Sequence, residues 1–432
     1  MLKTYVDLLK NTEIRKRILF TLGCLFIFRL GAQIPAPNIN EYMVAGGLSS
    51  NSLIQMINIL GGGNLTTFSI FSLGVGPYIT ASIVFELLSM DIIPHLAHLK
   101  EEGANGRKVL DRYTRYLTVV LSFVQSISML AAFNVQYPGI MTNNTWAGYF
   151  ATGLVMTAGA MLLLWLADQI TRKGIGNGTS MLIFTGIVAN LPSTFVVSFN
   201  ELFSKGFNWS GALNFGLFIL LYVAIVILVI FMTNAERRIP IQFTSSSLAQ
   251  RKSDKNYLPL KINSASVIPV IFASAIMTAP TTILSFFNND WSRSAYNFLT
   301  NLFDLTKWNG LVIYGILIIL FTFFYTNLQV DPSKIAENLQ KEGSYVVSIR
   351  PGEATKNYIS TVLNRITVLG SLFLLFIALL PRVLPLVTGI PRATAIGGTG
   401  IIIVVGVALE TMKQVTSQLT QRKYTGFKRG NK

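Results

Sequence analysis

The apolar residues of this 432-residue chain are gathered into long runs that short polar segments separate. Each run has about 17–24 residues, the length that a helix needs to cross about 30 Å of hydrocarbon. The runs lie near Ile18–Ile34, Leu73–Met90, Tyr113–Phe133, Ala147–Leu166, Gly178–Phe199, Ala212–Thr233, Ser264–Phe287, Gly310–Leu328, Ile366–Val387 and Ile396–Val415. This pattern predicts an all-α polytopic membrane protein with ten transmembrane helices.

The composition points the same way. Hydrophobic residues make up 51% of the chain and charged residues only 12%, whereas a soluble domain carries about 25% charged residues. The apolar runs are therefore expected to lie in lipid and not to form one compact core in water. The one cysteine, Cys24, lies inside the first run, so an internal disulfide framework is excluded.

The basic residues orient the runs. If the N-terminus is cytosolic, nearly all of the 35 Lys and Arg residues fall in cytosolic segments. Arg29 lies within the first run, and the outer loops hold only Lys205, Arg293, Lys307, Arg382 and Arg392. Such a bias follows the positive-inside rule and predicts that both termini are cytosolic.

Ten spans divide into an N-terminal half at 1–200 and a C-terminal half at 201–415, followed by a basic tail at 416–432. Because five spans per half is an odd number, any repeat must be inverted in the membrane. The second, fifth, seventh and tenth spans are rich in small and polar residues, in SLGVGPYITAS, GNGTSMLIFTG, NSASVIPVIFASAIMTAP and GGTGIIIVVG. These residues permit either tight helix packing or a polar lumen. The four spans form symmetric pairs under inverted halves, which favours a shared lumen.

A short helical segment precedes the second span. Its apolar residues recur at helical spacing and a glycine triplet follows them: Leu53, Met56, Ile57 and Leu60, then Gly61, Gly62 and Gly63. A helix over residues 52–60 rises only about 13 Å, far short of a span. At membrane depth such a broken half-helix is viable only against protein or in a water-filled cavity. The alternative is an ordinary outer loop above the membrane.

Several long strings in the chain resemble the SecY family of protein-conducting channels. They are GGGNLTTFSIFSLGVGPYITASI (61–83), KEEGANGRKVLDRYTRY (100–116), WLADQITRKGIGNGTSMLIFTGIVANLP (165–192), ERRIPIQF (236–243), YLPLKINSASVIPVIFAS (257–274), DPSKIAENLQKEGSYVVSIRPGEATKNYI (331–359) and GGTGIIIVVGVALETMKQV (397–415). The resemblance implies a clamshell of two inverted five-helix halves that forms the central pore of the Sec translocon. Such a pore conducts unfolded preproteins across the bacterial plasma membrane and releases hydrophobic signal sequences laterally into lipid.

The resemblance implies a ring of aliphatic side chains at the narrowest point of the channel. Carried over by motif, its members are Val75, Ile79, Thr179, Ile183, Ile271 and Ile403. An aliphatic ring resists wetting and blocks ions, and it binds no particular sequence. Thr179 departs from the family's aliphatic residue. Either its hydroxyl bonds to a preceding backbone carbonyl or it slightly wets the ring.

The resemblance also implies a plug and a lateral gate. The half-helix and its glycine-rich link, about residues 52–72, would close the pore, and the glycines make the plug displaceable at little steric cost. The gate would lie between spans two to three and seven to eight, with Thr80 and Gln125 as its polar residues. Gln125 fits an ordinary interhelical hydrogen bond equally well.

Two long basic loops, 236–263 and 329–365, are expected to face the cytosol. Their candidate contact residues are Arg237, Arg238, Arg251, Lys252 and Arg350. Basic protrusions bind ribosomal RNA phosphates, and the family implies a SecA motor at the same face. It also implies a SecE subunit that braces the two halves and a peripheral SecG subunit. Ordinary positive-inside topology accounts for most of these residues, but Arg350 matches the family's functionally sensitive arginine.

The sequence offers no catalytic or cofactor motif. The P-loop string and the GxSxG nucleophile string are absent, so the chain is expected neither to hydrolyse ATP nor to be an enzyme. His95 and His98 have a spacing that could bind a metal, but no third His or Cys lies near them, and a solvated pair is favoured.

The main alternative function is an ion-coupled secondary transporter, which also uses inverted repeats and broken helices. Such transporters usually bury ionisable residues near the membrane midplane. The few candidates here, Arg29, Glu86 and Glu410, are expected toward span ends.

Overall fold

The structure is a computed structural model that describes residues 12–40, 68–89, 93–136, 139–203, 209–243, 257–265, 267–284, 298–299, 302–303, 307–388 and 398–429. Its helices are α1 (Thr12–Gly31), α2 (Gly76–Leu88), α3 (Pro94–Glu101), α4 (Ala104–Gln136), α5 (Trp146–Lys173), α6 (Gly178–Phe203), α7 (Trp209–Asn234), α8 (Ile268–Leu284), α9 (Trp308–Gln329), α10 (Pro332–Lys341), α11 (Glu353–Thr388) and α12 (Gly398–Arg429). Its strands are β1 (Glu236–Phe243), β2 (Tyr257–Lys261) and β3 (Ser344–Val346). The fold is mostly helical, as predicted.

A helix overlaps each of the ten predicted spans, but the helices differ in length. Within the described residues, the helices long and apolar enough to cross a membrane are α4, α5, α7, α9, α11 and α12. Two further apolar helices are shorter, namely α2 and the part of α8 at Ile268–Met277. The first and fifth predicted spans coincide with α1 and α6. These helices indicate a multi-pass membrane protein.

The helices pack in a pattern that repeats once along the chain. In the first half, the pairs of predicted spans in contact are α2–α4, α4–α5, α5–α6, α1–α5 and α1–α6. In the second half, they are α8–α9, α9–α11, α11–α12, α7–α11 and α7–α12. Each pair in the first half becomes a pair in the second half when each span is replaced by the one five positions later.

Each half also has its own apolar core. In the second half, the helices of all five predicted spans contribute to one cluster, which we call the C-terminal core. Its fully or nearly fully buried members include Val229, Met277, Ile318, Leu374 and Ile402. In the first half, Phe68, Leu130 and Met156 lie in a cluster between the head of the second span, α4 and α5. Burial of these side chains away from both water and lipid gives each half a defined shape.

Residues 68–75, at the head of the second span, form turns rather than a helix. The span was predicted to begin near Leu73, whereas α2 begins at Gly76 with Pro77 in its first turn. Proline is tolerated there because first-turn amides have no partner within the helix. Leu73 itself is buried, so its apolar side chain packs against protein although the residue does not lie in a helix.

Protein surrounds this irregular segment. The Ala36 amide donates to the Phe68 carbonyl at 2.9 Å, and the Ile70 amide donates to the Ile34 carbonyl at 3.0 Å. Gly159, in the middle of α5, lets the Ile70 carbonyl come so close that any Cβ at this position would overlap it. The backbone of 68–75 thus meets the requirement that irregular structure at membrane depth be enclosed by protein.

The two long basic loops fold together instead of remaining separate loops. β1 pairs antiparallel with β2 from its own loop and with β3 from the other loop, in the order β2-β1-β3. With α10 and the start of α11, the strands form what we call the sheet unit, whose buried side chains include Ile239, Leu260, Leu339, Val346 and Ile359. The unit fixes the positions of basic residues from both loops.

Candidate functional site

Aliphatic side chains from both halves meet where α2, α6 and α12 converge, in what we call the central cluster. Its buried members here are Val75, Ile183, Ile187, Ile403 and Val407, with Ile79, Val404 and Val267 packed against them. These side chains offer neither hydrogen bonds nor charges to a neighbour. They can exclude water from the junction of the halves and separate again at no cost in polar contacts.

Four of the six side chains expected in the ring come together in this cluster. Val75 immediately precedes α2 and Ile79 lies one turn into it, while Ile183 belongs to α6 and Ile403 to α12. Sequence reasoning missed Ile187 and Val407, which lie one helical turn beyond Ile183 and Ile403. The i, i+4 spacing from the two expected residues is the signal that identifies them.

Thr179 lies outside the central cluster. It occupies the first turn of α6, where its hydroxyl donates to Asn177 Oδ1 at 2.8 Å and its amide reaches the same oxygen at 3.1 Å. Of the two alternatives for this hydroxyl, the bond to a preceding backbone carbonyl is not formed, because the Asn177 side chain at the start of α6 is the acceptor instead.

Ile271 also lies outside the central cluster and is half-buried near the start of α8. Val267, one turn earlier, packs against both the central cluster and the C-terminal core. The residue by which this span reaches the junction of the halves is thus Val267, which precedes the helix.

A glycine-rich turn, GIGNG at 174–178, ties the halves together beside the central cluster. The Gly176 amide donates to Gln414 Oε1 of α12 at 2.9 Å, and the Ile175 amide donates to Thr21 Oγ1 of α1 at 3.0 Å. Gly176 has φ of 83°, in the left-handed region that favours glycine. The sequence shows three glycines in this string but no reason for them. The reason is that its backbone is bonded by side chains from two helices.

Close packing continues on both sides of this turn. A Cβ at Gly178 would overlap the backbone carbonyl of Ala167 in α5. A Cβ at Gly400 of α12 would lie 3.3 Å from Ile187 Cγ2 of α6. The start of α6 is therefore close-packed against α5, and α12 is close-packed against α6 at Gly400.

A second contact between the halves is made by α8, which packs against both α2 and α4. Ile83 of α2 contributes to this seam by packing against the C-terminal core. Thr80 donates to the Gly76 carbonyl at 3.2 Å, so its hydroxyl is bonded within its own helix. Gln125 is half-buried on α4. The structure thus places both expected gate residues on the helices that line this seam.

The sheet unit presents the expected basic residues to solvent. Arg238 is held by Glu236, with Nε 2.8 Å from Oε1, and its guanidinium lies 4.6 Å from the centre of the Tyr257 ring. The hydrogen bond to Glu236 raises the pKa of Arg238, so this residue is a fixed cation. Arg237 is exposed on the same strand.

Arg350 is exposed in the turn between β3 and α11. The hydroxyl of Thr355 donates to its backbone carbonyl at 2.8 Å, and Ser348 and Gly352 on either side have φ of 67° and 93°. The backbone is therefore held in a defined turn while the guanidinium extends into solvent. This arrangement suits recognition of an anionic or acidic partner.

Part of the predicted site lies outside the described residues. This applies to the plug residues Leu53, Met56, Ile57, Leu60, Gly61, Gly62 and Gly63, and to Arg251 and Lys252. Within the described part of the chain, no group of three or more His, Cys, Asp or Glu is placed to hold a metal.

The chain is similar to known proteins in sequence and in fold. The family model described as SecY matches residues 69–412. The "Protein translocase subunit SecY" of Staphylococcus aureus is 43% identical over 438 residues, with 99% of each chain covered.

Two solved structures resemble the chain at 17% identity, each covering 94% of this chain and 93% of the other. One is described as "The structure of a protein conducting channel" and has a TM-score of 0.65. The other, "Sec61 in the Canine ribosome-channel complex from the endoplasmic reticulum", has a TM-score of 0.64. At this identity the likeness shows the fold.

Proposed function

The chain belongs to the SecY family, and on this premise we propose that it is the pore-forming subunit of a Sec translocon in a bacterial plasma membrane. It conducts unfolded secretory polypeptides across the membrane and releases hydrophobic segments sideways into lipid. The observation that carries the proposal is the central cluster, where aliphatic side chains from both halves meet. Such a junction keeps ions out at rest yet yields to a passing chain of any sequence.

Ten helices cross the membrane, five in each half, and the second half repeats the first in inverted orientation. The repeated packing pattern supports this division.

Both termini are cytosolic. Trp146, Trp209 and Trp308 stand at the starts of α5, α7 and α9, with 84%, 73% and 77% of their surfaces exposed. These helices are the fourth, sixth and eighth spans, which all start on one side of the membrane. Tryptophan favours the membrane–water interface, and the basic residues gather at the other side, so the tryptophans mark the outer surface.

The resting constriction consists of Val75, Ile79, Ile183 and Ile403, with Val267 contributing from the C-terminal half. Thr179 and Ile271 come to line the pore only when the halves part. The bond from Thr179 to Asn177 supports a dry resting ring, because it occupies the hydroxyl that could otherwise attract water to the junction.

The plug is the segment of about residues 52–72. Its proposed half-helix rests on the sequence pattern alone, since residues 41–67 lie outside the described chain. The C-terminal part of this segment is held in place, because Phe68 and Ser69 are fully buried. An anchored end with a glycine-rich link allows the half-helix to leave the pore and return to it.

The lateral gate is the seam where α2 and α4 meet α8. Ile83 supports this assignment, because it joins an N-terminal-half helix to the C-terminal core by apolar contact alone. An apolar signal segment replaces such contacts without loss of free energy. Thr80 and Gln125 lie on the helices that part.

The sheet unit is the docking surface for partners in the cytosol. A SecA motor or ribosomal RNA binds at Arg350, Arg237 and Arg238. The SecE and SecG subunits complete the complex in the membrane. A protein with the same fold is described in a ribosome–channel complex, which supports the ribosome as one of these partners.

Cross-linking of an arrested preprotein tests the proposal. In a Cys24→Ser background, single cysteines at Val75, Ile79, Ile183 and Ile403 should cross-link to the threaded chain. Phe26, Leu220 and Phe231 supply lipid-facing controls, since 64%, 64% and 72% of their surfaces are exposed. Equal cross-linking at both sets contradicts the channel. Proton or sodium flux coupled to a small substrate would instead indicate the secondary transporter.

A further inference from the structure

Glu86 occupies a position that is unfavourable for a carboxylate. It lies in the last turn of α2, where the negative end of the helix dipole repels an anion. It is half-buried, which removes part of its hydration. Among the described residues it forms no ion pair, and Lys100 acts on it only at longer range. Within the part of the chain that the structure describes, a carboxylate at this position is therefore not offset by an ion pair.

The position of Glu86 indicates where such a partner arrives. Ile83, one turn earlier on the same face of α2, packs against the C-terminal core. Tyr325 of α9 belongs to that core. The ring of Phe272 from α8 packs edge-on against Tyr325, with centroids 5.8 Å apart. Glu86 thus stands at the end of an apolar seam between the two halves.

We propose that Glu86 binds the basic N-terminal region of a signal segment whose apolar stretch occupies this seam. A secretory signal has positive charge directly before about 7–15 apolar residues. The seam offers the complementary order, with Ile83, Phe272 and Tyr325 for the apolar stretch and Glu86 for the positive charge. The inference rests on the proposed function. It identifies Glu86 as a residue by which the channel selects signal segments with a positively charged N-terminal region.

The orientation of α2 agrees with this assignment. Its last turn leads into the segment that contains Lys100 and the basic start of α4, which the positive-inside pattern places in the cytosol. The basic end of a signal also stays on the cytosolic side. An amine-bearing lipid headgroup is the other cation that could reach the seam, and the test separates it from a signal.

The test uses the reconstituted channel complex and preproteins that differ only in whether the signal's N-terminal region is basic, neutral or acidic. Glu86→Gln should lower photo-cross-linking of the basic region to the channel, and the transport rate, by about fivefold, the effect of one partly screened charge contact. The neutral signal should be unaffected. Glu86→Lys should lower transport of the basic signal further and restore transport of the acidic one.

Glu410→Gln is the matched control, because it removes an exposed carboxylate from another span. An equal loss for all three signals indicates a structural role for Glu86 and overturns the inference. No change, or an effect that follows the amine-lipid content of the vesicles and not the signal's charge, overturns it also. If the wild-type complex transports none of the signals, the proposed function fails instead.

Discussion

At the scale of single residues, Ile403 tests whether the central cluster keeps the resting molecule closed. Only 3% of its surface is exposed, so Ile403→Asn introduces an amide that draws water into the junction. We expect a higher resting ion conductance in planar bilayers. Ile403→Val is the control, since loss of one methylene from a core costs about 0.5–1.5 kcal/mol and adds no polarity. Equal conductance in both variants contradicts a hydrophobic seal.

Arg350 tests the docking surface at the same scale. Arg350→Glu reverses an exposed charge in a turn that the Thr355 hydroxyl holds through a backbone carbonyl. The turn should keep its conformation, and SecA-driven transport into vesicles should fall about tenfold or more, as for a charge-assisted contact. Lys356→Glu, an exposed reversal at the start of α11, should have little effect. Normal transport by the Arg350 variant refutes the assignment.

Single residues also show how far the ring could be assigned from the family's sequence motifs. The motifs identified Ile183 and Ile403, whose aliphatic side chains have no alternative to packing. The same motifs also assigned Thr179 and Ile271 to the ring. In the structure, Thr179 donates a hydrogen bond to Asn177, and Val267, not Ile271, packs against the central cluster. Local competition of this kind depends on where a helix begins, and the sequence leaves that uncertain by several residues.

At the scale of elements, the GIGNG turn should be sensitive to a single added methyl group. In Gly178→Ala, the Cβ would overlap a backbone carbonyl of α5, and a backbone cannot move aside as a side chain can. We expect the complex to lose about 1–3 kcal/mol of stability, measured by thermal unfolding in detergent. Gly216→Ala in α7 meets open space and should be neutral or stabilising by up to about 1 kcal/mol. Equal melting of both variants contradicts the packing.

The plug is tested by removing it. Deletion of Leu53–Asn64 leaves the buried residues Phe68 and Ser69 in place, so the central cluster should keep its shape while the proposed plug is removed. Resting ion leak should rise while preprotein transport is retained. Unchanged conductance in planar bilayers argues against a plug in this segment.

The elements differ in how readily the sequence reveals them. Long apolar runs predicted the helices, because length alone separates a span from a strand. The sheet unit was missed although Ile239, Ile241 and Phe243 alternate as a strand requires, since the surrounding charges and Pro240 suggested a loop. Residues 73–75 were wrongly assigned to the second span for the opposite reason, because irregular backbone enclosed by protein is as apolar as a helix.

At the scale of the whole molecule, the sequence indicated two halves only through the count of spans and the pairing of four unusual ones. The structure adds that the five contacts between spans of the first half each have a counterpart in the second. Pairings of this kind depend on faces that few residues mark in the sequence. The bond from Gly176 to Gln414, which joins the halves at one end of their junction, had no sequence signal at all.

If each half is a folding unit with its own core, the chain should tolerate a break between them. We expect fragments Met1–Lys205 and Gly206–Lys432, expressed together, to copurify and support transport, because the break spares both cores and the central cluster can re-form between them. A break at Gly159 is the control, since it divides α5 beside the buried carbonyl of Ile70 and leaves helix amides unpaired in an apolar setting. Comparable recovery from both breaks, or from neither, contradicts a division of the molecule after α6.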